Sequence, residues 1–129
     1  MTRGVNGTEV AVLTVDDQRI FREAAHDVIE ATSGFTSIGE VGSGAEALAL
    51  LEERQPALVL VDVRMPEMDG IELSRLIKQA HPELVVALIS IEDGPYLAAA
   101  ASSSGAEALV CKKDFGPSLL QGLWRAHGS

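Results

Sequence analysis

The sequence predicts an α/β domain: five parallel strands in one doubly wound sheet, with helices on both faces. Two observations carry this. Short, continuous apolar runs alternate with helix-period segments, β then α, five times over. Four of the runs also end in polar, chemically useful residues: Val10–Val15 before Asp16 and Asp17, Ala57–Val61 before Asp62, Leu84–Ile89 before Ser90, and Ala108–Cys111 before Lys112. Parallel α/β sheets place their sites at the carboxyl ends of strands.

Met1 to Thr8 lacks periodicity and reads as a loose tail, so the domain is placed at residues 9–129. After the first strand, Ile20, Phe21, Ala24, Ala25, Val28 and Ile29 repeat with helical spacing, up to a stop near Ser33 and Gly34. Phe35 to Val41 is a weaker strand, with Ile38 and Val41 as its apolar residues. Ser43 and Glu46 have capping-box spacing ahead of the helix Ala45–Leu51, which Pro56 closes. Asp69 and Glu72 repeat that spacing before a stripe of Leu73, Leu76, Ile77 and Ala80, stopped by His81 and Pro82. Asp93, Gly94 and Pro95 open a helix of small residues, Ala98 to Ser104, with Gly105 as its stop. Leu119, Leu120, Leu123 and Trp124 mark the last helix, with Leu120 and Trp124 expected in the core and Cys111 expected as a buried small hydrophobe.

Composition narrows the function. The chain has 129 residues, enough for one domain, and a 47% apolar fraction with one Trp, one Tyr and three Phe, so its core is aliphatic. Ten Lys and Arg against nineteen Asp and Glu leave a net charge of −9, which disfavours direct nucleic-acid binding. One Cys excludes an internal disulfide and fits a reducing compartment. No apolar stretch approaches the roughly 20 residues of a membrane span, and no signal-peptide h-region follows Met1, so a cytoplasmic location is expected.

Three carboxylates converging at neighbouring strand ends repel one another unless some stay protonated or a cation sits among them. Hard oxygens select Mg²⁺ or a similar ion such as Mn²⁺, which welcomes phosphate oxygens. A carboxylate beside such a metal can attack phosphorus, while an ammonium and a hydroxyl bind phosphoryl oxygens. Taken singly, Asp16 and Asp17 read more readily as a helix cap, and Ser90 and Lys112 as ordinary surface residues. Their joint placement favours a site. His26, His81 and His127 fall on separate helices with no ligand spacing.

Val12-Leu13-Thr14-Val15-Asp16-Asp17, the segment Val61-Asp62-Val63-Arg64-Met65-Pro66-Glu67-Met68-Asp69-Gly70, Ser90 and Lys112 together resemble the receiver domain of two-component response regulators, over about residues 9 to 127. Phe21-Arg22-Glu23, Val41-Gly42-Ser43-Gly44 and Lys112-Lys113-Asp114 resemble the subfamily with helix-turn-helix output domains. The resemblance implies a flavodoxin-like fold and a non-enzymatic switch. By it, Asp62 accepts a phosphoryl group from a sensor histidine kinase. Asp17, Asp62 and the Arg64 backbone carbonyl ligate Mg²⁺, with Asp16 acting through water, and Ser90 and Lys112 sense the phosphoryl group. It implies a kinase partner and an output domain or partner protein, and permits a homodimer. It leaves open a stand-alone receiver or a piece of a longer DNA-binding regulator.

Two positions depart from the family pattern. Leu109 stands where receivers commonly carry a Tyr or Phe, and Ile91 where a small residue is usual. Ile91 either crowds the Asp62 pocket or packs outward against the helix that begins near Asp93. Arg64 and Glu92, each two residues past Asp62 and Ser90, are expected to pair across the pocket mouth and screen an acyl phosphate from water. Three alternatives remain. A degenerate receiver would act as a phosphorylation-independent interaction module. A phosphatase of the haloacid dehalogenase type would need an acid where Arg64 stands, and a flavodoxin would need a phosphate-cradling loop in place of Asp16-Asp17-Gln18-Arg19.

Overall fold

The computed structural model describes residues 9–92 and 94–128. The expected N-terminal tail and Asp93 lie outside the described residues. The elements follow the expected alternation: β1 (Val10–Val15), α1 (Arg19–Ala31), β2 (Phe35–Val41), α2 (Gly44–Leu51), β3 (Leu58–Asp62), α3 (Gly70–Ala80), β4 (Val85–Ser90), α4 (Pro95–Ser103), β5 (Ala108–Cys111) and α5 (Pro117–His127). β3 and β4 each sit one residue later than expected, so Asp62 and Ser90 are the last strand residues.

All strand pairs are parallel and the order is β2-β1-β3-β4-β5. The chain winds one way from β1 to β2 and the other way from β3 onward, which puts the switch point between β1 and β3. Successive strand residues face opposite sides. Leu13, Val15, Val59, Val61, Val86 and Leu88 pack against Ala47 and Leu51 of α2, Leu73 and Ile77 of α3, and Ala101 of α4. Val12, Leu58, Leu60, Val85, Ala87 and Ile89 pack against Ile29 of α1 and Leu120 and Leu123 of α5.

Local chemistry accounts for the helix ends. Ser43 Oγ accepts from the Glu46 N–H, and the Glu46 carboxylate accepts from the Gly42 N–H at 2.8 Å. Asp69 Oδ1 accepts from the Glu72 N–H at 2.9 Å. α4 opens on Pro95 and stops before Gly105, whose φ of +93° is the left-handed conformation that glycine supplies. On the outer edge of β2, the Ser37 N–H donates to Glu30 and the Ile38 carbonyl accepts from Arg54, which covers groups that would otherwise invite another strand.

Several expected burials are corrected. Ile20 is 83% exposed and Ala24 is also exposed, because the line Phe21, Ala25, Ile29 faces the sheet and Ile20 lies one helical step off it. On α3 the inner line is Gly70, Leu73, Ser74 and Ile77; Leu76 is half-buried and Ala80 exposed. Cys111 is half-buried, like all of β5, because that strand forms a sheet edge. Trp124 is half-buried beside fully buried Leu120.

Candidate functional site

Register brings the polar strand ends together. Val15 lies beside Val61, Asp62 beside Ile89, and Ser90 beside Cys111, so Asp16, Asp62, Ser90 and Lys112 fall along one rim of the sheet. Asp16 is buried and fixed. Its N–H donates to the Val41 carbonyl, its Oδ1 accepts from the Gln18 N–H at 2.8 Å, and its carbonyl accepts from Arg22 Nη1 at 2.7 Å. The N-cap of α1 is Gln18, with no side-chain capping bond, so Asp17 remains exposed toward the pocket's acids.

One carboxylate oxygen from each of Asp16, Asp17 and Asp62 lies within 4.8 Å of the others, a group that could hold a metal ion. Lys112 Nζ stands 2.7 Å from Asp16 Oδ2 and 3.6 Å from Asp62 Oδ1. The first contact is off the direction a hydrogen bond needs, so buried Asp16 Oδ2 has a charge partner but no hydrogen bond. Burial, then the charges of Asp16 and Asp17, push Asp62 up to about 6, against the opposing pull of Lys112 and the Arg64 N–H. Crowded hard oxygens, a buried carboxylate oxygen without a hydrogen bond and an acid raised by burial and by its acidic neighbours fit a small divalent cation such as Mg²⁺.

Ser90 Oγ accepts from the Glu92 N–H at 2.9 Å, which does not use the hydroxyl proton. Gln18, Asp62, Arg64, Ile91 and Lys112 line a cavity of about 110 Å³. Arg64 reaches across to Glu92, with Nη2 at 2.7 Å and Nε at 3.2 Å from the same Oε1. Of the two expectations for Ile91, packing against α4 is not seen, while its place beside the Asp62 pocket is. Its side chain stands at the cavity rim and is 77% exposed, because α4 begins only at Pro95 and leaves it in solvent. Leu109 is half-buried against the α2–α3–α4 side of the core and does not line the cavity. A groove of about 610 Å³ near α4 brings together no comparable set of acids, hydroxyl and ammonium.

The family model for the response regulator receiver domain matches residues 12–123. This chain belongs to that family. The transcriptional regulatory protein DegU of Brevibacillus brevis is 25% identical over 123 residues, covering 95% of this chain and 52% of DegU. A protein-glutamate methylesterase/protein-glutamine glutaminase of Hahella chejuensis is 36% identical over 108 residues, covering 83% of this chain and 31% of that protein. The receiver of the response regulator NarL from Mycobacterium tuberculosis superposes with a TM-score of 0.83 at 30% identity, covering 94% of this chain and 98% of that one. The chain thus spans about half the length of DegU or less of its other curated relatives. Receiver domains accept phosphoryl groups, bind Mg²⁺ at an acidic pocket, and work with histidine kinases and output domains. Some curated relatives carry an enzyme, and this chain covers only the receiver part. No helix among the described residues is long and apolar enough to cross a membrane.

Sequence reasoning missed three contributors to the receiver's pocket. Gly70 packs against the Asp62 backbone, Arg22 holds the Asp16 carbonyl, and the Phe21 ring lies under Lys112 Nζ. The glycine's signal was its place at the end of the loop after Asp62. Phe21 was visible as an apolar residue on α1 and, with Arg22 and Glu23, as part of the subfamily resemblance, with no place in the pocket attached to it.

Proposed function

We propose that this receiver takes a phosphoryl group on Asp62 from a kinase phosphohistidine and presents a changed surface to an output domain or partner protein. The supporting observation is the position of Lys112 Nζ, between Asp16 and Asp62 at the rim that also carries Ser90. A carboxylate oxygen of Asp62 attacks phosphorus. The P–N bond breaks, and its electron pair leaves on the imidazole nitrogen, which is reprotonated from solvent. Lys112 pairs with one phosphoryl oxygen, and the Ser90 hydroxyl donates to another. Mg²⁺, held by Asp17, Asp62 and the Arg64 carbonyl with Asp16 acting through water, supplies charge neutralisation at the phosphoryl oxygens when bound. Arg64 and Glu92, paired over the cavity, limit the approach of hydrolytic water. Movement of Ser90 and Lys112 toward the phosphoryl group shifts the populations of the β4–α4 and β5 region.

A second reading, a phosphorylation-independent interaction module, draws support from Leu109, which offers no aromatic ring to follow Ser90 inward. Intact mass after incubation with acetyl phosphate and Mg²⁺ separates the two. The proposal expects one added phosphoryl group, absent in Asp62→Asn and after chelation; no addition to the wild type favours the module.

A further inference from the structure

Lys112 is held from a side that neither Asp16 nor Asp62 occupies. Its Nζ lies 4.6 Å from the centroid of the Phe21 ring, over the ring face. Phe115 backs that ring, with centroids 6.0 Å apart and planes tilted by 52°, within the range where the positive edge of one ring meets the negative face of another. The two supports come from different parts of the chain. Phe21 belongs to the first turn of α1, whereas Phe115 follows the single 3₁₀ turn that begins at Lys112, and its N–H donates to the Lys112 carbonyl.

We infer that Phe21 is a positioning residue for Lys112, its ring face holding the ammonium over the phosphoacceptor pocket. The inference rests on the phosphoacceptor reading of Asp62. A lysine has a long, freely rotating stem, and here its contact with Asp16 is not an aligned hydrogen bond, so charge alone leaves Nζ free to slide among the acids. An aromatic face attracts a cation through its quadrupole and uses none of the ammonium's N–H donors. Those donors stay free to turn from Asp16 to a phosphoryl oxygen on Asp62 while Nζ remains over the ring. A third carboxylate in place of Phe21 would have to be given up at that moment. Phe115, tied to the turn that carries Lys112, keeps the ring at the right height.

Two measurements test this. In a ¹H–¹³C spectrum, the Lys112 ε-methylene protons should be shifted upfield by the ring and return to ordinary values in Phe21→Leu; an unshifted methylene in the wild type overturns the contact. With acetyl phosphate and Mg²⁺, Phe21→Leu should slow phosphorylation roughly 3- to 10-fold, the range a partly desolvated cation–π contact supplies. Phe21→Tyr, which keeps the ring, should stay within about twofold of wild type on the same grounds. An unchanged rate in Phe21→Leu, or an equal loss in Phe21→Tyr, overturns the role. If Phe21→Leu fails to fold, the wild-type spectrum and the Tyr variant decide. A wild-type chain that accepts no phosphoryl group refutes the reading of Asp62 and with it this role, and that failure is visible before any variant is made.

Discussion

Gly70, the first residue of α3, packs directly against the backbone of Asp62. A Cβ built there meets the Asp62 carbonyl oxygen at 2.1 Å, the Asp62 carbonyl carbon at 2.9 Å and the Val63 Cα at 2.9 Å. All three are backbone atoms, so no side chain can swing aside. A comfortable carbon–oxygen contact is about 3.3 Å, so Gly70→Ala must drive α3 and the end of β3 apart by roughly 1 Å. Overpacking of this kind costs about 1–3 kcal/mol, and a rigid backbone contact belongs at the upper end, ~3 kcal/mol. With about 2.1 cal/mol/K of unfolding entropy per residue, this chain should lose ~10 °C in Tm. The same displacement moves Asp62 relative to Lys112 and Ser90. Misplacing a reacting group by about 1 Å can cost ~100-fold, so phosphorylation by acetyl phosphate should fall by at least ~10-fold. Thermal unfolding and intact-mass kinetics, read on the same preparation, check both figures. A Gly70→Ala chain that melts within about 2 °C of wild type and phosphorylates within about twofold would refute the steric reasoning.

Arg64→Ala should leave stability nearly unchanged, since the pair it forms with Glu92 is well exposed, yet shorten the acyl-phosphate half-life by up to ~5-fold. An unchanged half-life removes the screening role. Mg²⁺ should raise Tm, by ~5 °C (about 1.4 kcal/mol) at about ten times its Kd, and Asp17→Asn should abolish most of that rise; an equal rise in the variant would contradict the assignment. His26 is raised above 6.5, chiefly by its 2.8 Å hydrogen bond with Glu40. Burial pushes Glu40 up, but hydrogen bonds from Ser37 and His26 outweigh it and leave it lowered. The stabilising charge pair is therefore lost as pH rises through the folded His26 value, and again as pH falls through that of Glu40. The Tm difference between wild type and His26→Gln should be largest near about pH 5.5 and shrink by about pH 8; a difference that grows with pH would reverse the sign.

Much of the fold was legible because parallel strands buried on both faces are written as unbroken Val, Leu and Ile runs, and the turn to helix as Ser43–Glu46 and Asp69–Glu72. The acids, Ser90 and Lys112 were legible for the same reason, since each follows or closes a run. Which side of an apolar pair faces inward was not. Ile20 and Phe21 are adjacent and both apolar, and only the seating of α1 on the sheet decides between them. Cys111 reads as core in a strand and becomes half-buried because β5 is an edge, a fact of strand order. Ile91 was open to two readings, and the position at which α4 starts removed packing against that helix and left Ile91 lining the Asp62 cavity. The His26–Glu40 bond and the Phe21 shelf join residues distant along the chain, and local periodicity carries no signal for such pairs.

The most direct test of the account is the identity of the phosphorylated side chain. After incubation with acetyl phosphate and Mg²⁺, borohydride reduces an acyl phosphate on aspartate to homoserine, and peptide mass spectrometry locates the change. The account predicts homoserine at position 62, with Asp16 and Asp17 intact. Reduction at Asp16 or Asp17, or no reduction anywhere in the wild type, would contradict it.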